Sequence, residues 1–401
     1  MNGKSAAAQS RAAWSVAPVV DWLLREGRLS AEPRELIDTL AAHLLGAGAP
    51  LWRLRLGFFT IHPQVAAWAY VWVRGRSTHV EQFPHGVQKT GAYIGSPAQR
   101  MIEGGAPVRY RLDHLAPSDH RLLHELAAEG GTDYALFPLR FSDGSRNVFA
   151  LATDARPGFS AHDLAQFETL SHAMSAVLEV AATHRIAETL LDTYVGHRTG
   201  GRVLRGHIQR GTAETLHAAL WYSDLRGFTP LTETLPTQQL LAMLNEYFET
   251  VALAVSAHGG EILRFVGDAM LVVFPADANG GPALACRAAV ESALDAFARL
   301  APINARRRQG GEPEIAFGVG LTAGDVAYGN VGSPDRLDFT VIGPAVNRAA
   351  RLESLTKELG VPLLMTAAFA KCLERPVRSL GSHRLRGLAE PVEVYALEKA
   401  R

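Results

Sequence analysis

Apolar positions along the chain change their period more than once, and each change marks a different kind of segment. From about residue 14 to 46 they recur at helical spacing, with a polar break from Ser30 to Pro33, which predicts two short helices. Alternating β-branched and aromatic runs then predict strands at Leu51–Ile61, Ala66–Val73 and Thr78–Phe83. After a stretch rich in Gly, Pro and Asp, two more strands are expected at Tyr134–Phe141 and Asn147–Thr153, joined by the turn Ser142-Asp143-Gly144-Ser145. Strands and helices mixed in this order predict an α+β domain of about 150 residues.

Ser160 is placed to cap a helix, and Asp163 three residues on completes the reciprocal pair. Beyond it Phe167, Leu170, Met174, Val177 and Ala181 recur at steps of three and four. That seam suits either a helix packed on its own domain or a parallel dimer helix. The connector continues through Leu190–Tyr194 to a basic, Gly-rich segment near Thr199–Arg210. From Thr215 strands alternate with long helices: strand Leu216–Ser223, helix Thr237–His258, strands Glu261–Val266 and Ala269–Phe274, helix Gly281–Leu300 and strand Glu314–Thr322. The order β-α-β-β-α-β is the ferredoxin-like arrangement.

A chain of 401 residues exceeds what one compact core holds. The pattern divides it into an N-terminal helical extension (1–34), a sensory domain (35–160), a helical connector or transducer (161–214) and a second domain (215–401). Lys+Arg and Asp+Glu both total 40, so no global field favours nucleic acid or an anionic membrane, and any phosphate-binding surface must be local. Cys286 and Cys372 stand outside any Cys-x-x-Cys pattern and read as small hydrophobes in a reducing compartment. No apolar run approaches a membrane span and the N-terminus lacks a signal-peptide core. A soluble cytoplasmic protein is expected.

Two acidic residues stand out by position. Asp224 ends an apolar strand and opens the turn Leu225-Arg226-Gly227-Phe228-Thr229, while Asp268 sits in a Gly267-Asp268 hairpin turn. A ferredoxin-like sheet sets its first strand beside its third, which brings both carboxylates to one edge. Magnesium and manganese take oxygen ligands of this kind and accept the rest from water and a triphosphate. Gly227 lets phosphate approach the backbone amides of the turn. Either Asp alone reads as a turn former. In a second cluster, Pro344 opens a helix on which Asn347 and Arg351 are four apart and share a face. That face suits charge developing on a phosphate, although a solvated helix face would read the same way.

The segments Tyr222-Ser223-Asp224-Leu225-Arg226-Gly227-Phe228-Thr229, Arg264-Phe265-Val266-Gly267-Asp268-Ala269 and Val341–Leu352 resemble class III adenylate and guanylate cyclases in residues, order and spacing, over about Leu216–Leu397. The resemblance implies that Asp224 and Asp268 ligate two Mg2+ or Mn2+ ions. It assigns the ribose to Asn347, the transition state at the α-phosphate to Arg351, and the triphosphate to Arg386. The purine-reading pair falls on Arg264 and Thr340. The family also implies a homodimer, with the carboxylates from one subunit and Thr340, Asn347 and Arg351 from the other. Adenylate cyclases usually carry Lys and often Asp at the purine pair, whereas guanylate cyclases place Glu and a small residue there. ATP is therefore the expected substrate and cyclic AMP the product. The alternatives are a guanylate or mixed-specificity enzyme, or a catalytically silent dimeric regulator. No His or Lys is placed as a general base, which leaves metal activation and Asp224 as proton acceptor.

In the front half, Thr132–Arg140, Val148–Thr153, Pro157–Ser160 and the long helix resemble the C-terminal half of GAF domains, a likeness of pattern covering roughly 35–180. It implies a ligand or protein signal of unknown identity, passed through Leu164–Tyr194, and dimerisation through that helix. His62, His79 and His85 lack metal spacing. Trp52, Phe58, Phe59, Trp68, Tyr70 and Trp72 read as sheet core before pocket lining.

Overall fold

A computed structural model describes residues 14–30 and 32–398. Residues 1–13 of the expected N-terminal extension lie outside the described part. The chain forms two compact units, Met1–Leu190 and Leu191–Arg401.

The first unit runs α1 (Ala17–Arg25), α2 (Pro33–Gly46), β1 (Arg53–Phe59), β2 (Val65–Val73), β3 (His79–Pro84), α3 (Pro97–Gly104), β4 (Val108–Arg111), α4 (Arg121–Ala128), β5 (Asp133–Arg140), β6 (Arg146–Thr153) and α5 (Ala161–Val195), the last crossing into the second unit. Its antiparallel sheet has the order β3-β2-β1-β6-β5-β4. Strand alternation sends Leu54, Leu56, Phe137, Leu139, Phe149 and Leu151 to one face, where they pack with α1, α2 and α5. Tyr134, Leu136, Val148, Ala150 and Ala152 face the other way, onto Met101 of α3 and Leu123 and Leu126 of α4. Val19 and Leu23 of α1 lie in the first core, so the segment expected as an extension packs as part of the unit.

The start of α5 is pinned as expected. Ser160 Oγ accepts from the Asp163 amide at 3.1 Å and the Asp163 carboxylate accepts from the Ser160 amide at 2.8 Å. Trp14 Nε1 donates to the same carboxylate at 2.7 Å. Phe167, Leu170 and Met174 are buried in the unit's own core, Val177 packs partly against it, and Ala181 is exposed. The first turns of the seam therefore serve this unit.

The second unit runs α6 (His197–Leu204), β7 (Ala213–Leu225), α7 (Phe228–Thr234), α8 (Thr237–Ala257), β8 (Glu261–Val266), β9 (Ala269–Pro275), α9 (Pro282–Gln309), β10 (Phe317–Ser333), β11 (Arg336–Ile342), α10 (Pro344–Leu359), β12 (Leu363–Thr366), α11 (Ala367–Ala370), β13 (Val377–His383) and β14 (Val392–Leu397). Strand order β13-β14-β12-β10-β7-β9-β8, with β11 paired to β10, contains the ferredoxin-like core and extends it. The fold is α+β. Helices α8 and α9 cover one face through Tyr247, Val251, Ala289 and Ala293 packed on Trp221, Val272 and Val319. The other face is covered by α10 and by the β10–β11 hairpin, through Tyr328, Val341, Ala345 and Ala349. β10 runs well past the expected strand, because Gly324, Asp325 and Asn330 interrupt its apolar pattern without ending its pairing.

One expectation needs correction. α8 is long and apolar enough to cross a membrane by length and composition, contrary to the sequence reading, although it carries Glu246 and Glu249 and buries Met243, Tyr247 and Val251 in the unit's core. Cys286 is buried and both cysteines are free, as the sequence reading had them, and although distant in sequence they are neighbours in the fold. Burial and then the Cys372 neighbour push the Cys286 thiol up.

α10 lies unusually close to β10. A Cβ on Gly320 would overlap the Ala349 carbonyl and the Glu353 amide, and one on Gly318 would overlap Arg226 and Thr356. Gly320→Ala is therefore expected to destabilise the second unit by about 3 kcal/mol, because helix and strand must separate. Gly46→Ala, at the open end of α2 with nothing within 4 Å of a Cβ, is expected to be neutral or slightly stabilising. Thermal melting of the two variants checks the contrast; equal melting temperatures would refute the close-packing account.

Candidate active site

The carboxylate pair follows from strand pairing. β7 and β9 run antiparallel with Ser223 opposite Met270, and the Gly267-Asp268 turn joins β8 to β9 with Val266 opposite Ala269. Gly267 has φ +65°, and no non-glycine residue among those described has positive φ, which is the pattern of a type II′ hairpin turn. On β7 the alternation buries Trp221 and Leu225 against α8 and α9 and turns Asp224 to the α10 side. Asp224 and Asp268 are within side-chain hydrogen-bonding reach. Burial and then the Asp224 carboxylate push Asp268 up to about 6.

Further residues close on Asp224 that sequence reasoning did not find. Lys357 Nζ donates to Asp224 Oδ2 at 2.8 Å, so a lysine reaches the site as a charge partner of the carboxylate and not as a base. One helical turn earlier, Glu353 is buried and meets Arg226 Nη1 at 3.1 Å, and Arg226 Nη2 also donates to Thr356. Burial pushes Glu353 up to about 7; Asp224 adds to the rise, while Lys357 and Arg226 oppose it. Gly318, opposite Asp224 in the register, leaves room for Arg226 and Thr356 to meet. Gly227 takes φ +67° at the N-cap of α7, which Phe228 and Thr229 open directly after the Asp224 turn. The sequence placed only a turn there.

The remaining candidates form a separate set. Arg264, exposed on β8, pairs with Asp338 of β11. Thr340 is two residues further along that strand and opposite Gly329, so both purine candidates meet at the same strand. Asn347 and Arg351 are exposed on α10, and Arg386 is exposed beside Leu385, which packs with Leu352 and Leu355 of that helix. At 100° per residue, Arg351 lies about 200° around α10 from Glu353 and so faces away from the carboxylate pair. Among the described residues no hydrogen bond or ion pair joins Asp224 or Asp268 to Arg264, Thr340, Asn347, Arg351 or Arg386.

α6 is seated on the strand that carries Thr340. The Arg202 guanidinium lies 5.4 Å from the Tyr328 ring centre and 5.5 Å from that of Phe339, and it pairs with Glu214. Thr199 Oγ1 is 2.9 Å from the Tyr328 hydroxyl, and its amide donates to Glu261 Oε1 at 3.2 Å. Glu261 Oε2 and Arg202 Nε are buried there without a partner among the described residues. The sequence showed only a basic connector at this point.

Among the described residues no cluster of three or more His, Cys, Asp or Glu side chains is arranged for a metal. Two crowded carboxylates nevertheless fit a hard cation that draws its other oxygens from water and substrate, since a cation opposes both the burial and the Asp224 charge that raise Asp268.

Residues 212–399 match the family model for the adenylate and guanylate cyclase catalytic domain. This part of the chain is a class III adenylate and guanylate cyclase catalytic domain, of a family that acts on nucleotides, is typically dimeric and generally uses divalent metals. An adenylate cyclase of Anabaena cylindrica is 32% identical over 197 residues, covering 48% of this chain and 39% of that protein. Adenylate cyclase 1 of Rhizobium meliloti (strain 1021) is 31% identical over 196 residues, covering 47% and 29%. The solved adenylyl cyclase CyaB from P. aeruginosa aligns at 27% identity and a TM-score of 0.45, covering 47% of this chain and 97% of that one. The matched segments span well under half of the two curated relatives.

Glu353 gives the site a signature in stability. Its folded-state pKa is raised above the ordinary 4.5, so its contribution is complete below about pH 4.5 and lost as pH rises through about 7. Between about pH 5 and pH 7.5, Glu353→Gln should lose about 2 kcal/mol less unfolding free energy than the wild type. Urea denaturation at the two pH values checks this, and parallel losses would show that Glu353 is ionised throughout.

Proposed function

We propose that the chain is an adenylate cyclase, converting ATP to 3′,5′-cyclic AMP and pyrophosphate in a cytoplasmic homodimer regulated by its N-terminal GAF-like unit. The observation that carries the reading is the division of α10. Glu353 and Lys357 face the carboxylate pair of their own chain, while Asn347 and Arg351 are turned away from it. A complete constellation then needs the carboxylates of one copy and the outward face of α10 from another. The same logic yields two sites per dimer.

Asp224 and Asp268 would hold two Mg2+ or Mn2+ ions, whose charge favours ionisation of the ribose 3′-hydroxyl and departure of pyrophosphate. Asp224 accepts the hydroxyl proton once Lys357 has yielded its oxygen. The O3′–Pα bond forms as the bond from Pα to the bridging oxygen breaks, and pyrophosphate leaves with that oxygen. Arg351 donates to the α-phosphate oxygens as charge builds on them, which a guanidinium does with fixed geometry. Asn347 holds the ribose, Arg386 the triphosphate, and the Gly227–Thr229 backbone the phosphates beside Asp224. Arg264 and Thr340 read the adenine.

One observation favours a second reading, a guanylate or mixed-specificity enzyme. The Asp338 carboxylate beside Arg264 is an acceptor that guanine N1–H and its amino group can use.

Purified enzyme given ATP and GTP separately with Mn2+ should form cyclic AMP from ATP; cyclic GMP as the main product would establish the second reading. Asp224→Ala and Arg351→Ala should each be folded and inactive. Their equimolar mixture should recover about a quarter of wild-type turnover, because half the dimers are mixed and each mixed dimer has one intact site. A folded, dimeric mixture that stays inactive would sink the shared-site arrangement.

Proton and metal compete for the pair. Mn2+ affinity should fall about tenfold per pH unit below about pH 6, as Asp268 takes up its proton. Electron paramagnetic resonance of free Mn2+ measures this, and affinity constant down to about pH 5 would remove Asp268 from the metal site.

A further inference from the structure

The first unit holds a cavity of about 400 Å3, within the range of small-molecule sites. It opens on the α3/α4 side of the sheet, where Arg53 and Arg55 of β1 stand beside Glu81 and Phe83 of β3 and are roofed by the segment around Tyr93. The alternation of β1 explains why charge gathers here. Leu54 and Leu56 enter the core on the opposite face, and the two arginines take the cavity side.

The charges around the cavity do not cancel. Arg55 Nε is 3.6 Å from Glu81 Oε2, and its guanidinium lies 5.6 Å from the Phe83 ring centre. Arg121 Nε is 2.5 Å from Glu125 Oε1. Both nitrogens of His120 are engaged, by the Gly91 carbonyl at 3.1 Å and the Leu122 amide at 3.2 Å. Arg53 is left over. Its side chain has no hydrogen bond or ion pair among the described residues, and one positive charge on the wall remains uncompensated.

Beside it Tyr134 is 3% exposed, lines the cavity, and has a hydroxyl with no hydrogen bond among the described residues. Burial raises its pKa, so the phenol keeps its proton and can donate, and Arg55 and Arg53 are both near enough to act on it. The hydroxyl is not among the fully enclosed polar atoms that lack a partner, so it is reachable from the cavity and free to donate to an occupant. An unpaired cation, an idle phenolic donor and aromatic walls call for one kind of occupant.

We propose that this cavity is a binding site for a small aromatic carboxylate, its acid group held by Arg53 and the Tyr134 hydroxyl and its ring lying against Phe83 and Tyr93. A charge-assisted pair to a guanidinium supplies the selectivity for the anion, and the aromatic walls supply the contact area. This assignment is independent of the cyclase reading.

The test uses 2-naphthoate as probe and 2-naphthamide as its uncharged counterpart, titrated into the full-length chain by isothermal calorimetry. Saturable binding of the carboxylate is expected, with the amide at least about tenfold weaker. Arg53→Gln should weaken the carboxylate about tenfold and leave the amide unchanged, and Tyr134→Phe should weaken it by a few fold. Melting temperatures equal to wild type confirm that both variants are folded; if Arg53→Gln is not, Tyr134→Phe and the amide comparison carry the test. Equal binding of carboxylate and amide, indifference of the carboxylate to either folded variant, or no saturable binding of 2-naphthoate would each overturn the proposal.

Discussion

Repulsion between two carboxylates organises the catalytic unit. Pairing of β7 with β9, and the turn that joins β8 to β9, bring Asp224 and Asp268 together. The fold offsets this cost from one side, with Lys357 on Asp224 and with Arg226 behind it, the latter held by Glu353. These groups come from α10 and from the turn after β7, so the seating of α10 on β10 and the state of the carboxylates are one problem. Gly318 and Gly320 make that seating possible, since any side chain would hold the helix too far off for Arg226 to meet Glu353 and Thr356.

What the sequence made legible was local. Strand alternation, the Gly267-Asp268 turn and the helix opened by Pro344 are written in runs of a few residues, and the structure has them where the pattern places them. Motif order extended this to the ferredoxin-like core. The chain pattern was silent where the structure depends on contacts between distant residues. Lys357 meets Asp224 across 133 positions, and Asp338 meets Arg264 across 74. α7 was hidden because its seven residues include Pro230 and three threonines, too short and too poor in helix formers to show a period. The long β10 was hidden for the opposite reason, since Gly324, Asp325, Gly329 and Asn330 break the apolar pattern around Val326 and Tyr328 while the backbone pairing continues.

The connector shows the same limit. Thr199–Arg210 reads as a basic, Gly-rich linker, yet Thr199 and Arg202 reach Tyr328, Phe339, Glu214 and Glu261. These contacts are mostly polar, and two buried atoms within them lack partners among the described residues. A seat built this way holds by orientation more than by buried area, in contrast to the apolar packing of α8 and α9.

α10 also limits how this domain can change over evolutionary time. One rigid rod presents Lys357 and Glu353 on one side and Asn347 and Arg351 on the other. A backbone substitution that tilts the rod to suit one set necessarily displaces the other. Adaptation is therefore confined to side-chain exchanges that leave the rod in place. Residues on neighbouring strands, such as Arg264, Asp338 and Thr340, lie off the rod and are free to vary without that penalty.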